Sequence, residues 1–166
     1  MIDIIYCQNP RTDLGFHKIL SVKMFNIVEG ISEEKNRKTV ENKQVDILVA
    51  PERVGRKDRL NQRDSGLNDV LCKLAKENDV AIGFSFSDLL NSKYRAVVLG
   101  RMMQNVRLCR KYKVRMVLAS FAHDPWDMRS AYDLLAFGQV LGMTPKEATI
   151  ALNFAKKRQA IKVTTL

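Results

Sequence analysis

The side chains best suited to chemistry in this 166-residue chain are cations. Arg53, Arg56, Lys57, Arg59 and Arg63 crowd one polar stretch, interleaved with Glu52, Asp58 and Asp64. A guanidinium offers paired, coplanar donors that grip a phosphate through two parallel bonds, so such a cluster suits a polyanion. Asp58 would either orient these arginines or merely neutralise them. A second concentration, Lys93 to Arg115, holds eight basic residues and no acidic one. A third follows residue 154 and contains Lys156, Lys157, Arg158 and Lys162. Residues 1–92 balance 14 basic against 14 acidic side chains, so the net charge of +10 comes from the later segments. Localised positive charge is the electrostatic footprint of a polyanion partner.

Hydrolysis on metal ions would need clustered imidazoles and carboxylates. The two histidines, His17 and His123, are far apart and form no HxH or HExxH pattern. His123-Asp124 is the nearest approach to a ligand pair, and alone it makes a poor metal site. No residue is therefore assigned as catalytic or metal-binding, and a stand-alone metal-dependent phosphoesterase is the alternative reading. Cys7, Cys72 and Cys109, odd in number and widely spaced, read as reduced thiols of a cytoplasmic protein. No run approaches the ~18 apolar residues of a membrane span, and Met1-Ile2-Asp3 lacks the basic start of a secretory signal.

Alternating strands and helices must position these groups. Apolar runs predict strands over Ile2–Tyr6, Met24–Val28, Val45–Ala50, Val80–Phe84 and Val114–Ala119. A short helix is expected over Leu14–Leu20. Another, capped by Ser32, covers Glu33–Lys43 and should lie on the surface, because it has almost no apolar face. Leu67, Val70, Leu71, Leu74 and Ala75 share one face of a further helix. In the basic helix Lys93–Tyr112, Val98, Leu99, Met102, Met103, Val106 and Cys109 form an apolar arc. Lys93, Arg101, Arg107 and Lys111 point away from it. Ser130 starts a helix with Asp133 at the capping-box position and Tyr132, Leu135 and Ala136 on its inner face. Thr144-Pro145-Lys146-Glu147 starts the last helix. The tail reads as an extended arm or a strand at Ala160–Val163. Such alternation defines an α/β class with a mainly parallel sheet. The charged loops after Ala50 and Ala119 then fall at carboxyl ends of strands, where parallel α/β proteins place function.

The order VDILVAP, GRKD, DSG, a Leu-rich helix, VAIGFSFSDLL and then Arg129…Tyr132-Asp133-Leu134 resembles the archaeal ribonuclease P protein component 3 family. The likeness is close from Val45 to Asn153 and weaker from Met24 to Gln44. Arg59 to Asp64 stand as an insertion after GRKD, and Arg129-Ser130-Ala131-Tyr132-Asp133 replaces an Arg-Gly-Pro-Tyr-Asp segment. The resemblance implies a TIM-barrel-like (PHP-like) parallel βα repeat, as a single domain over 1–166 with a basic tail from about 154. A complete eightfold barrel needs ~250 residues, and the family's members begin with strand–helix units not evident here. The barrel is thus incomplete or shortened, or the start lies upstream.

The resemblance further implies a protein subunit of ribonuclease P that binds and supports the catalytic RNA removing the 5′ leader from precursor tRNA. The chain would belong to a hydrolytic holoenzyme without being catalytic itself, with Mg²⁺ held on the RNA and no cofactor on the chain. Expected partners are ribonuclease P RNA, a small RRM-like subunit, other ribonuclease P proteins and, indirectly, precursor tRNA, with no membrane. The RNA-binding residues would be Arg53, Arg56, Lys57, Arg101, Arg107, Lys111, Arg129, Lys157 and Arg158. Asp58 and Asp133 would orient loops, Asp133 equally serving as a helix cap. Phe84, Phe86, Leu89 and Leu90 are contacts for a protein partner or, preferably, core.

Overall fold

A computed structural model describes residues 1–53, 58, 60 and 63–154. The expectations for Arg56, Lys57, Lys157, Arg158 and a strand at Ala160–Val163 lie outside the described residues. Strands β3 (Ile27–Glu29), β4 (Ile47–Val49), β5 (Ala81–Ser85) and β6 (Met116–Ala119) form a parallel sheet in that order. Ile27 stands opposite Ile47, Ile47 opposite Ala81 and Ile82 opposite Met116. Strands β1 (Ile2–Ile5) and β2 (Lys18–Ser21) make a second parallel pair. The pair joins the larger sheet because β1 runs beside β6. Phe121 N–H donates to Ile4 O at 2.9 Å, and the N–H groups of Tyr6 and Cys7 donate to Ala122 O. The strands therefore follow one another around a partial TIM-barrel-like wall, with the last closing onto the first. The wall breaks between β2 and β3, where only residues 22–26 connect the two strands. Phe25 packs there against Ile2 and Leu20, and it also borders the interior cluster around Ile4.

Period-two alternation explains the two sides of that wall. Ile47, Val49, Ala81, Val117 and Ala119 point into the barrel with Ile4 and Phe121. Leu48, Ile82, Phe84 and Leu118 point outward, under helices α2 (Asp69–Glu77), α4 (Arg95–Tyr112), α5 (Ala131–Val140) and α6 (Pro145–Leu152). Both faces are covered, so the strands read as continuous apolar runs. Phe84 is core, and Phe86 and Leu89 pack against the same outer cluster. Helix α1 (Glu33–Glu41) and the short α3 (Phe86–Asn91) complete the set.

Several sequence expectations need correction. Leu14–Leu20 is no helix: Gly15 has φ +76°, and Lys18–Ser21 pairs with β1. The strand expected from Met24 begins at Ile27, since Val22–Met24 forms a 3-10 turn capped by Ser21. Helix α1 is not wholly superficial, because Asn36, Thr39 and Val40 are buried. In α2, Val70 is 56 % exposed while Leu71, Cys72 and Ala75 face inward. Ala75 lies between Leu71 and Cys72 on the wheel, so these three complete the buried face, and Val70 lies on the opposite side. In α5 it is Ala131, Leu134, Phe137 and Gly138 that are buried, and Tyr132 is 74 % exposed.

Candidate nucleic-acid interface

The cation-bearing loop after β4 is held from two helices. It leaves the sheet through Pro51–Arg53 and returns through Arg63–Gly66. From α1, Asn36 Nδ2 donates to Pro51 O at 3.2 Å and Gly66 O at 3.1 Å. From α4, Asn105 Nδ2 donates to Glu52 Oε2 at 3.2 Å and Ser65 O at 3.0 Å. Arg101 Nε reaches Asp58 Oδ1 at 2.8 Å, and its Nη1 reaches Glu52 O at 3.1 Å. The same Asp58 oxygen accepts from Asp64 N–H at 2.9 Å. Outgoing limb, Asp58 and returning limb are thus pinned by side chains whose own backbones are helical.

Arg101 is therefore not an outward-facing residue: it is 5 % exposed. Helical wheel geometry put it on the polar side, but a long side chain at the edge of the arc can fold under a loop that supplies a carboxylate and a carbonyl. Among the described residues, the guanidinium that Asp58 binds is that of Arg101 on α4, outside the loop. Burial pushes the Asp58 carboxyl up, but the bonds from Asp64 N–H and Arg101 outweigh it and hold the group below its ordinary range.

The remaining described cations divide into tied and open ones. Arg53 bridges Glu29 and Asp88. Arg129 donates to the carbonyls of Trp126 and Met128 and lies over the Phe86 ring, so it fixes the loop after β6. Lys111 is exposed beside Asp69 at 3.5 Å. Arg107 is exposed and forms no ion pair with any described residue. Asp133 completes a capping box with Ser130, which accounts for its position by local helix chemistry alone. Arg110 makes a two-pronged bond to Glu147 and a further one to Gly142 O, tying α4 to α6. That bond pulls the Glu147 carboxyl down to about 2.

At the carboxyl ends of β1, β3 and β6, His123 stacks flat on Tyr6 with ring centroids 4.2 Å apart. Asp124 is occupied in capping the 3-10 turn at Trp126 N. The adjacent His123 and Asp124 thus do not converge. No group of three or more His, Cys, Asp or Glu among the described residues is placed to hold a metal ion. The Cys72 and Cys109 thiols are pushed up by burial, Cys72 to about 12, which makes them poor nucleophiles.

Glu52, Asn36 and Asn105 are the residues that sequence reasoning missed. Asn105 carried a readable signal, because it lies in the middle of the stripe formed by Val98, Met102 and Cys109. A polar residue at a core position requires a buried partner. Glu52 is that partner. Burial pushes its carboxyl up to about 7, only partly offset by the Asn105 bond and the nearby Arg53 and Arg101. Because the folded value lies above the ordinary one, the folded chain binds the extra proton between the two. Stability is then greatest below the ordinary value and declines as pH rises through about 7, by roughly 3 kcal/mol in full. Asp3, raised to about 6 by burial, acts in the same direction. The thermal midpoint should fall between about pH 4.5 and 7 and level off above that, and Glu52→Gln should flatten that fall. An equal pH dependence in the variant would show that Glu52 is ionised throughout.

Parallel strands that deliver a braced, basic loop at their carboxyl edge define a partial TIM-barrel-like α/β protein. Residues 7–160 match the family model described as RNase P subunit p30. Ribonuclease P protein component 3 of Methanosarcina mazei is 42% identical over 134 residues, which is 80% of this chain and 53% of that protein. The Thermococcus kodakarensis protein of the same name is 37% identical over 139 residues, 82% of this chain and 60% of that one. A chain in a cryo-EM structure of archaeal ribonuclease P with mature tRNA superposes with a TM-score of 0.67 at 34% identity, covering 79% of this chain and 54% of that chain. The chain belongs to the ribonuclease P subunit p30 family. It spans about half the length of the curated relatives it matches.

Proposed function

We propose that this chain is a protein subunit of ribonuclease P, binding and supporting the catalytic RNA that removes the 5′ leader from precursor tRNA. The observation that carries this reading is the superposition on a chain from archaeal ribonuclease P with mature tRNA. The physical chemistry agrees with it, since the net charge of +10 is concentrated in the sequence rather than spread along it, and α4 carries the exposed cations Arg107 and Lys111. The chain acts in the cytoplasm within a holoenzyme whose Mg²⁺ sits on the RNA. A small RRM-like subunit and other ribonuclease P proteins complete the assembly, which meets precursor tRNA. Among the described residues no helix is long and apolar enough to cross a membrane.

Exposed Arg107 and Lys111 are the α4 cations to test. In binding to archaeal ribonuclease P RNA, Arg107→Ala should weaken affinity and lower the slope of log K against log salt by up to about one unit. Lys111→Ala should do less, because Asp69 already neutralises part of its charge. A salt slope unchanged in the double variant would leave α4 as a solvated face with no RNA contact.

A further inference from the structure

We propose that Gly100 is a slot on α4 that seats the guanidinium of Arg63, a residue contributed by the loop, as a phosphate contact in line with Arg107 and Lys111. This rests on the RNA-binding reading and adds to it a residue and the feature that presents it. Arg63 Nη1 donates to Gly100 O at 3.2 Å. The guanidinium lies directly over the missing side chain: a Cβ built on Gly100 would meet Arg63 Cζ and Nε at 3.1 Å and Nη2 at 3.3 Å. Glycine in a helix interior costs stability relative to alanine, and Gly100 is buried beneath Arg63. Here it leaves room for a flat cation to lie against the helix backbone.

The seat is braced from beneath. Gln104, one turn along α4, donates to Arg63 O and to Ser65 Oγ, each at 3.2 Å. The hydrogen bonds of Asp58 go to Arg101 and the Asp64 N–H, and Arg63 acts on it only through its charge. Arg63 is exposed and makes no ion pair with any described residue. A guanidinium carries five N–H donors, so one bond to a carbonyl leaves a free edge for a second acceptor. Positions 100, 104, 107 and 111 share one helix face. At about 1.5 Å rise per residue, the seated Arg63, Arg107 and Lys111 are spaced roughly 10 and 6 Å along it. Such a row suits successive backbone phosphates better than one small anion. The ligand class is accordingly an RNA strand.

Substitution at Gly100 separates this role from a structural one. Gly100→Ala improves helix propensity and meets only the movable end of a flexible side chain, so the thermal midpoint should hold or rise. The same change pushes the Arg63 guanidinium back by a few tenths of an ångström and stretches its bond to Gly100 O. Titration of the full chain with archaeal ribonuclease P RNA across salt should show Gly100→Ala binding severalfold more weakly. Arg63→Ala should bind roughly tenfold more weakly with a shallower salt slope, and the double variant should be no worse than Arg63→Ala. If both single variants bind with native affinity and slope while Arg107→Ala does not, Arg63 is only an internal tie and the inference fails alone. If the unsubstituted chain does not bind the RNA, the functional reading fails and takes the inference with it.

Discussion

Gly66→Ala is expected to lower stability by about 2–5 kcal/mol, moving the thermal midpoint down by roughly 10 °C. The residue has φ +73°, a conformation that costs an L side chain about 1–2 kcal/mol. Space is the larger problem. A Cβ at Gly66 would overlap the Pro51 carbonyl and crowd Asn36 Nδ2 at 2.9 Å. Both neighbours belong to the brace that joins the two limbs of the loop. The Pro51 carbonyl is buried backbone in the 3-10 turn just after β4 and cannot swing aside. Gly142→Ala is the control, because Gly142 has φ +93° yet open space around its Cβ position. It should lose only the backbone term. Equal losses in the two variants, by thermal melts, would show that the limbs are not in contact as described.

Asp3→Ala is the second large effect, about 3 kcal/mol. Asp3 is fully buried and accepts from Ser120 N and Ser120 Oγ, each at 2.7 Å, and from Ile4 N at 2.9 Å. Removing the carboxylate orphans two donors on Ser120 where water does not reach, at about 1–3 kcal/mol each. The contact also joins β1 to β6, the step that closes the last strand onto the first. Ser120→Ala should cost less, since it removes the hydroxyl together with its need for a partner. The double variant should fall clearly short of additivity. Strict additivity would mean that the two residues do not share this bond.

Much of this architecture is legible in the residues, for physical reasons that also mark where legibility ends. β4, β5 and β6 lie between helices and a packed interior, so Val45–Ala50, Val80–Phe84 and Val114–Ala119 are mostly apolar runs, broken by one charge each at Asp46 and Arg115 near the start of the first and last. β2 has no such run, because Leu20 is its only buried residue. Its strand character comes from pairing with β1, which no local pattern records. Caps at Ser32, Ser130 and Thr144 were readable because capping is decided within four residues. The brace was not, because its partners are far apart in sequence. Arg101 meets Asp58 across 43 residues, and Asn105 meets Glu52 across 53. Basic residues on a helix ordinarily face water, and Arg101 departs from that rule through a partner only the fold supplies. The same holds for Arg63, whose seat depends on a glycine 37 residues away.

The central claim is membership in a working ribonuclease P, and reconstitution tests it most directly. Archaeal ribonuclease P RNA and the remaining protein subunits would be assembled with and without this chain, and 5′-leader removal from precursor tRNA followed in time. The account predicts no cleavage by the chain alone and faster cleavage at the mature 5′ end when it joins the assembly. Gly100→Ala and Arg107→Ala chains should support less activity at raised salt. Cleavage indifferent to the chain would contradict the account, as would Mg²⁺- or Mn²⁺-dependent hydrolysis by the chain alone that His123→Ala abolishes.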